Sequence, residues 1–185
     1  VRAKLVAIEA YGATIHRCAA TIAAREAMCA DVQAATGATL VHPYTDARVI
    51  AGQGPPPLEL PAAPGPLDAI VAPLGGGGLP AGTAIAARAL APGIRVIAAE
   101  PAGAADAWRS MQAGELRVDG TPDTVCDGLR GTLGAPNFAL LRRHGVQVVT
   151  VDDADTLAAM RLAWQRTKQT IQPSSAIALA AGATR

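Results

Sequence analysis

Four consecutive glycines, Gly75 to Gly78, stand between a short apolar run, Ala69-Ile70-Val71-Ala72, and an alanine-rich run from Leu79 to Leu90. No other stretch limits the fold as strongly. The first run suits a strand buried on both faces of a parallel sheet, and the second suits a helix. A strand that turns through glycines into a helix aims bare backbone N–H groups and the positive end of the helix dipole at one spot, where phosphate is the natural guest. Glycine reaches positive φ without strain and carries no Cβ to hold an anion away from the amides. In mid-strand the same glycines would only weaken a sheet.

The rest of the chain reads outward from this point. Arg2 to Ala10 reads as a helix stopped near Gly12, Ala13 to Cys18 as a short strand, and Thr21 to Ala35 as a helix closed by Gly37. Thr39-Leu40-Val41 reads as the next strand. His42-Pro43-Tyr44-Thr45-Asp46 reads as a loop whose aspartate can cap a helix after it, and any helix there stops near Gly54, before Pro55-Pro56-Pro57. Pro61 to Pro66 reads as a connector. Arg95 to Ala99 is a strand ended by Glu100-Pro101, Ala104 to Ala113 a helix stopped at Gly114, and Pro136 to His144 a helix stopped at Gly145. Val146 to Val151 is the clearest strand. Asp152-Asp153 opens a helix to about Thr170, Pro173-Ser174-Ser175 breaks it, and a last helix comes after. Alternation of strand and helix predicts an α/β doubly wound parallel sheet with right-handed crossovers.

Lys and Arg number 16 against 15 Asp and Glu, with no block of like charge, so neither nucleic acid nor an anionic membrane is an expected partner. Cys18, Cys29 and Cys126 form no paired motif, which predicts no disulfide framework and fits a reducing cytoplasm. No apolar stretch has the length of a membrane span. The chain begins with Val1 and ends in a running apolar segment, so both ends read as cut.

On physics alone three uses of the glycine loop compete. A P-loop is excluded because no Gly-Lys-Ser/Thr comes after the glycines. A nicotinamide dinucleotide fold stays open: Gly76, Gly78 and Ala81 fit G-x-G-x-x-A, and Glu100 ends the next strand at the offset of a ribose ligand. The third use is a cup for a small phosphorylated cofactor. A non-catalytic remnant is the remaining alternative. Valine in place of Gly76 or Gly77 is expected to abolish phosphate binding and to leave most of the fold.

Ala51-Gly52-Gln53-Gly54, Val71-Ala72-Pro73-Leu74-Gly75-Gly76-Gly77-Gly78-Leu79, Ala98-Ala99-Glu100-Pro101, Asp127-Gly128-Leu129 and Pro173-Ser174-Ser175 occur in an order and spacing that resembles one family. The chain is similar to the serine racemase and threonine or serine dehydratase group of fold-type II pyridoxal phosphate enzymes, whose fold is tryptophan synthase β-like. The resemblance runs along the whole chain. It implies doubly wound sheets incomplete at both ends, with residues 1–50 the rear of a small domain and 51–185 part of the large cofactor-binding domain. It further implies that Gly75, Gly76, Gly77, Gly78 and the Leu79 amide hold the phosphate of pyridoxal 5'-phosphate, with Gly128 lining the cofactor. Glu100, Ala104 through its carbonyl, and Asp106 resemble the family's site for Mg²⁺ or Ca²⁺, a set of oxygens suited to a hard cation. Arg25 resembles an arginine that binds the substrate carboxylate. A homodimer is implied for the full-length enzyme.

The implied reaction acts on serine or threonine: loss of the α-proton and the β-hydroxyl gives a 2-oxo acid and ammonia, while return of the proton gives racemisation. The family's Schiff-base lysine falls in a segment upstream of Val1, and Lys4 and Lys168 fit no such role, so the chain alone is expected to be inactive. His42 reads as a structural loop residue. The chain departs from the family at Pro55-Pro56-Pro57, at Gln172 where a glutamate is usual, and at Gly131 where serine racemase has a serine near the substrate.

Overall fold

The computed structural model describes residues 2–54, 67–118 and 120–183. The prolines 55–57 and the connector 61–66 lie outside the described residues. Two compact units divide the chain, residues 1–41 and 42–185.

The first unit carries α1 (Arg2–Ala10) and α2 (Ile22–Thr36). Thr21 caps α2 by accepting the Ala24 N–H at 3.1 Å, and the left-handed Gly37 closes it, as the residue types require. Residues 13–18 and 39–41, expected as strands, are not strands here, since neither run pairs into a ladder among the described residues. A strand is defined by its neighbours, and composition alone does not supply them.

In the second unit α3 (Ala47–Gly52) is capped by Asp46, whose carboxylate accepts the Arg48 N–H at 2.8 Å. Then come β1 (Ala69–Pro73), α4 (Gly78–Leu90), β2 (Arg95–Pro101), a 3₁₀ turn (Ala102–Ala104) and α5 (Asp106–Ala113). A 3₁₀ turn (Asp127–Leu129), α6 (Ala135–Arg143), β3 (Gln147–Val151), α7 (Asp153–Thr167) and α8 (Pro173–Ala183) complete it. Two expected limits shift. Helix α7 stops at Thr167 because Lys168 turns left-handed, at φ 60°, and Pro173 opens α8 instead of preceding it, its ring fitting a first helical position where no N–H is needed.

The described strands form one parallel sheet in the order β1-β2-β3, with Val71 opposite Ile97 and Ile97 opposite Gln147. Successive residues of β2 serve opposite faces. Val96 and Ala98 join Ile50, Leu74, Ala84, Leu133 and Leu141 in one core, while Ile97 and Ala99 join Val149, Ala159 and Ile177 in the other. Helices α3, α4, α5 and α6 thus supply one face, and α7 and α8 the other. The sheet is doubly wound, as the alternation implied. Its strands end, at Pro73 and Pro101, where the glycine loop and the Glu100 turn begin.

Candidate functional site

The glycine loop leaves β1 and enters α4 without a side-chain cap. Gly77 is the N-cap, at φ 93°, a left-handed conformation that glycine adopts without strain. Its carbonyl accepts the Ala81 N–H at 3.0 Å, which starts the helix. Pro80 lies in the first turn, where a missing N–H costs nothing. Among the described residues, no hydrogen bond to protein engages the N–H groups of Gly75, Gly76, Gly77, Gly78 or Leu79. These five residues line a cavity of about 360 Å³. Tyr44, Gln53, Gly128, Gln172 and Ser174 line it as well.

The loop is held from behind. The Gly76 carbonyl accepts from the Asn137 side-chain Nδ2 at 2.6 Å and from the Gly134 N–H at 3.1 Å. The same Nδ2 donates to the Tyr44 carbonyl at 2.8 Å. The Tyr44 ring covers Gly76 so closely that a Cβ there would overlap the ring, and a Cβ on Gly77 would lie 2.8 Å from both Asn137 Cβ and Leu133 Cδ1. Packing therefore demands glycine at both positions, in addition to any anion. The expectation that valine at Gly76 or Gly77 would spare most of the fold is corrected by these contacts.

Across the cavity the Gly128 N–H donates to Ser174 Oγ at 3.0 Å, tying the 3₁₀ turn to the start of α8. His42 is engaged locally: its Nδ1 accepts from the Tyr44 and Thr45 N–H groups at 3.3 and 3.1 Å, and its ring meets Tyr44 edge-on at 4.6 Å. These contacts fit the structural loop role expected of it. Tyr44, Asn137 and Ser174 were not singled out as site residues by the sequence. Ser174 stands in the Pro173-Ser174-Ser175 motif and Tyr44 in the loop after His42-Pro43, while Asn137 carries no local signal.

Glu100 is buried at 1 % exposure. Its Oε1 accepts the Ala107 N–H at 2.9 Å and its Oε2 the Trp108 N–H at 2.8 Å, so it caps α5 from the strand behind. Burial pushes its carboxyl up to about 8, against the lowering by these two N–H groups. A carboxyl so engaged has no reach to a ribose, and the dinucleotide reading falls with it. Asp106 Oδ2 accepts the Leu133 N–H at 2.7 Å. Ala104 and Asp106 line a cavity of about 90 Å³ with Arg109 and Arg130, and the described residues contain no cluster of three or more His, Cys, Asp or Glu. Of the expected cation ligands, Ala104 and Asp106 line this cavity, while both oxygens of Glu100 are engaged at the start of α5.

Arg25 lies exposed on α2, within the first unit, beside a cavity of about 250 Å³ lined also by His16, Met28 and Leu40. No lysine is among the residues that line the glycine-loop cavity, and Lys168 donates its Nζ to the Gln165 carbonyl at 2.8 Å.

The model of the family described as "Pyridoxal-phosphate dependent enzyme" matches residues 1–185. The chain belongs to this family. It is 44 % identical over 180 residues to a serine racemase of Dictyostelium discoideum, covering 96 % of this chain and 56 % of the relative. It is also 44 % identical over 179 residues to a beta-hydroxyaspartate dehydratase of Paracoccus denitrificans, covering 97 % and 57 %. The solved structure of maize serine racemase superposes with a TM-score of 0.92 at 39 % identity, covering 97 % of this chain and 56 % of that one. The chain thus spans a little over half the length of these relatives.

Proposed function

We propose that this chain carries the phosphate half of the cofactor site in a pyridoxal phosphate-dependent dehydratase or racemase of small hydroxy amino acids. The observation that carries the reading is the unsealed N-terminus of α4, with five main-chain N–H groups, those of Gly75 to Leu79, beside a cavity of cofactor size. The residues fit the group: a phosphate would be held by these amides, and the aromatic and polar walls of Tyr44, Gly128 and Ser174 would flank the rest. When bound, the cofactor supplies an electron sink for an amino acid that has lost its α-proton. The chain's own part is to orient that group and shield it from water.

Arg25 is proposed to take the substrate carboxylate, a role suited to a forked guanidinium. The relatives' names, serine racemase and beta-hydroxyaspartate dehydratase, support serine or a close hydroxy amino acid, threonine included. We assign residues 1–50 to the small domain and 51–185 to the large one, a homodimer to the full-length enzyme, and the cytoplasm as its compartment. Free thiols at Cys18, Cys29 and Cys126 support a reducing setting, and no helix among the described residues is long and apolar enough to cross a membrane.

Inorganic phosphate should compete with pyridoxal phosphate for the chain, in equilibrium dialysis. Equal affinity for pyridoxal, which lacks the phosphate, would overturn the assignment. Because the cavity lining carries no lysine, borohydride reduction should leave no stoichiometric pyridoxyl-lysine, and the 185-residue chain should release no ammonia from serine or threonine. Labelling of Lys4 or Lys168 with turnover would show the reverse.

Mg²⁺ or Ca²⁺ is proposed to bind through Glu100, the Ala104 carbonyl and Asp106, stabilising the fold by mass action. Millimolar Mg²⁺ should raise the melting temperature of the native chain and not of Asp106→Asn, which keeps an oxygen for the Leu133 N–H but loses the charge. An equal rise in both would remove Asp106 from the site.

A further inference from the structure

We infer that Asn137, on α6, is the positioning residue that sets the direction of the glycine-loop amides, and so tunes affinity for a phosphate-bearing ligand. This rests on the anion-cup reading of the same site.

Asn137 is fully buried. Its two Nδ2 hydrogens are spent on two carbonyls, those of Tyr44 and Gly76, while its Oδ1 has no partner among the described residues. The amide orientation is determined by its surroundings: exchanging oxygen and nitrogen would set Oδ1 against both carbonyl oxygens at hydrogen-bond distance. A buried acceptor without a partner is costly, and here that cost accompanies a clamp on the loop.

The clamp acts through peptide planarity. No peptide bond described is cis, so each N–H points opposite to the preceding carbonyl. With the Gly76 carbonyl drawn toward α6 by Asn137 and Gly134, the Gly77 N–H must face away from α6. With the Gly77 carbonyl engaged by Ala81, the Gly78 N–H must face out of the helix start. Both donors are therefore fixed before any ligand arrives, which is the preorganisation that an anion site needs. The Tyr44 carbonyl on the same amide group keeps the ring that covers Gly76 in register with the loop.

A purely structural role would lower stability and leave ligand preference alone. The quantity to read is the ratio of dissociation constants for pyridoxal and pyridoxal phosphate, measured by equilibrium dialysis on the full chain. Asn137→Ala should reduce that ratio about tenfold, chiefly through pyridoxal phosphate, because one clamping donor on Gly76 is lost while Gly134 remains. Ser110→Ala, which removes a buried hydroxyl bonded to the Asp106 carbonyl and the Arg117 N–H, should lower stability and preserve the ratio. A preserved ratio in Asn137→Ala, or an equal loss in Ser110→Ala, would overturn the inference and leave the anion cup standing. Absence of any preference in the native chain would overturn the cup itself, and the inference with it. Should Asn137→Ala fail to fold, Asn137→Ser keeps one donor and carries the same comparison, with a smaller loss expected and an unchanged ratio again overturning the inference.

Discussion

Two helices of the second unit begin alike and are finished in opposite ways. Helices α4 and α5 each come after the end of a parallel strand, β1 and β2, and each aims its first N–H groups off the same edge of the sheet. At α4 the chain supplies glycine and no acceptor, so the amides stay open beside a cavity. At α5 the strand supplies Glu100, whose two oxygens take the Ala107 and Trp108 N–H groups. The difference teaches that a strand-to-helix turn is an anion site only where the chain withholds its own acceptor. A third start, that of α3, is sealed at the surface by Asp46. These grades of sealing order the tests.

The largest effect belongs to the open start. Gly77→Val places a branched Cβ at φ 93° against Asn137 and Leu133, and should cost on the order of 4 kcal/mol in urea denaturation along with all preference for phosphate. A variant that stays within about 1 kcal/mol of the native chain would show that the loop is loose, not packed. Next comes the sealed start: Glu100→Ala leaves one buried and one half-buried N–H group unpaired and should cost about 2 kcal/mol in the same assay. An unchanged midpoint would erase the contrast between α4 and α5.

The smallest effect belongs to α3. Hydrogen bonding to Arg48 holds the Asp46 carboxyl down to about 2, below the ordinary 3.8. Its contribution is therefore complete above about pH 4 and is lost as the pH falls toward 2. The melting temperatures of Asp46→Ala and the native chain should differ slightly at pH 6 and converge by pH 2. A gap that persists at pH 2 would mean that the cap acts through shape and not charge.

What the sequence carried was local. Gly75 to Gly78 between Ala72 and Leu79 announced the open helix start, and Gly37, Gly114 and Asp46 announced caps that the structure contains. What it hid depends on distance along the chain. Glu100 reads as a strand end exposed to ligand until the Ala102–Ala104 turn brings Ala107 and Trp108 back onto it. Asn137 reaches Tyr44 across 93 residues and Gly76 across 61, and no periodicity encodes such a meeting. Residues 13–18 and 39–41 have strand composition, but a ladder needs a neighbour that composition does not name. Lys168 ends α7 through a left-handed turn that its residue type does not advertise.

That long reach has a kinetic meaning. Segments around residues 44, 76 and 137 must all be in place before the Asn137 amide can hold both carbonyls, and contacts so far apart in sequence close slowly because loop entropy is spent first. The Gly77 N–H takes its fixed direction only once those three segments have met. An anion held by the loop would therefore report that all three segments have assembled, and by mass action it would protect the segments that position the amides.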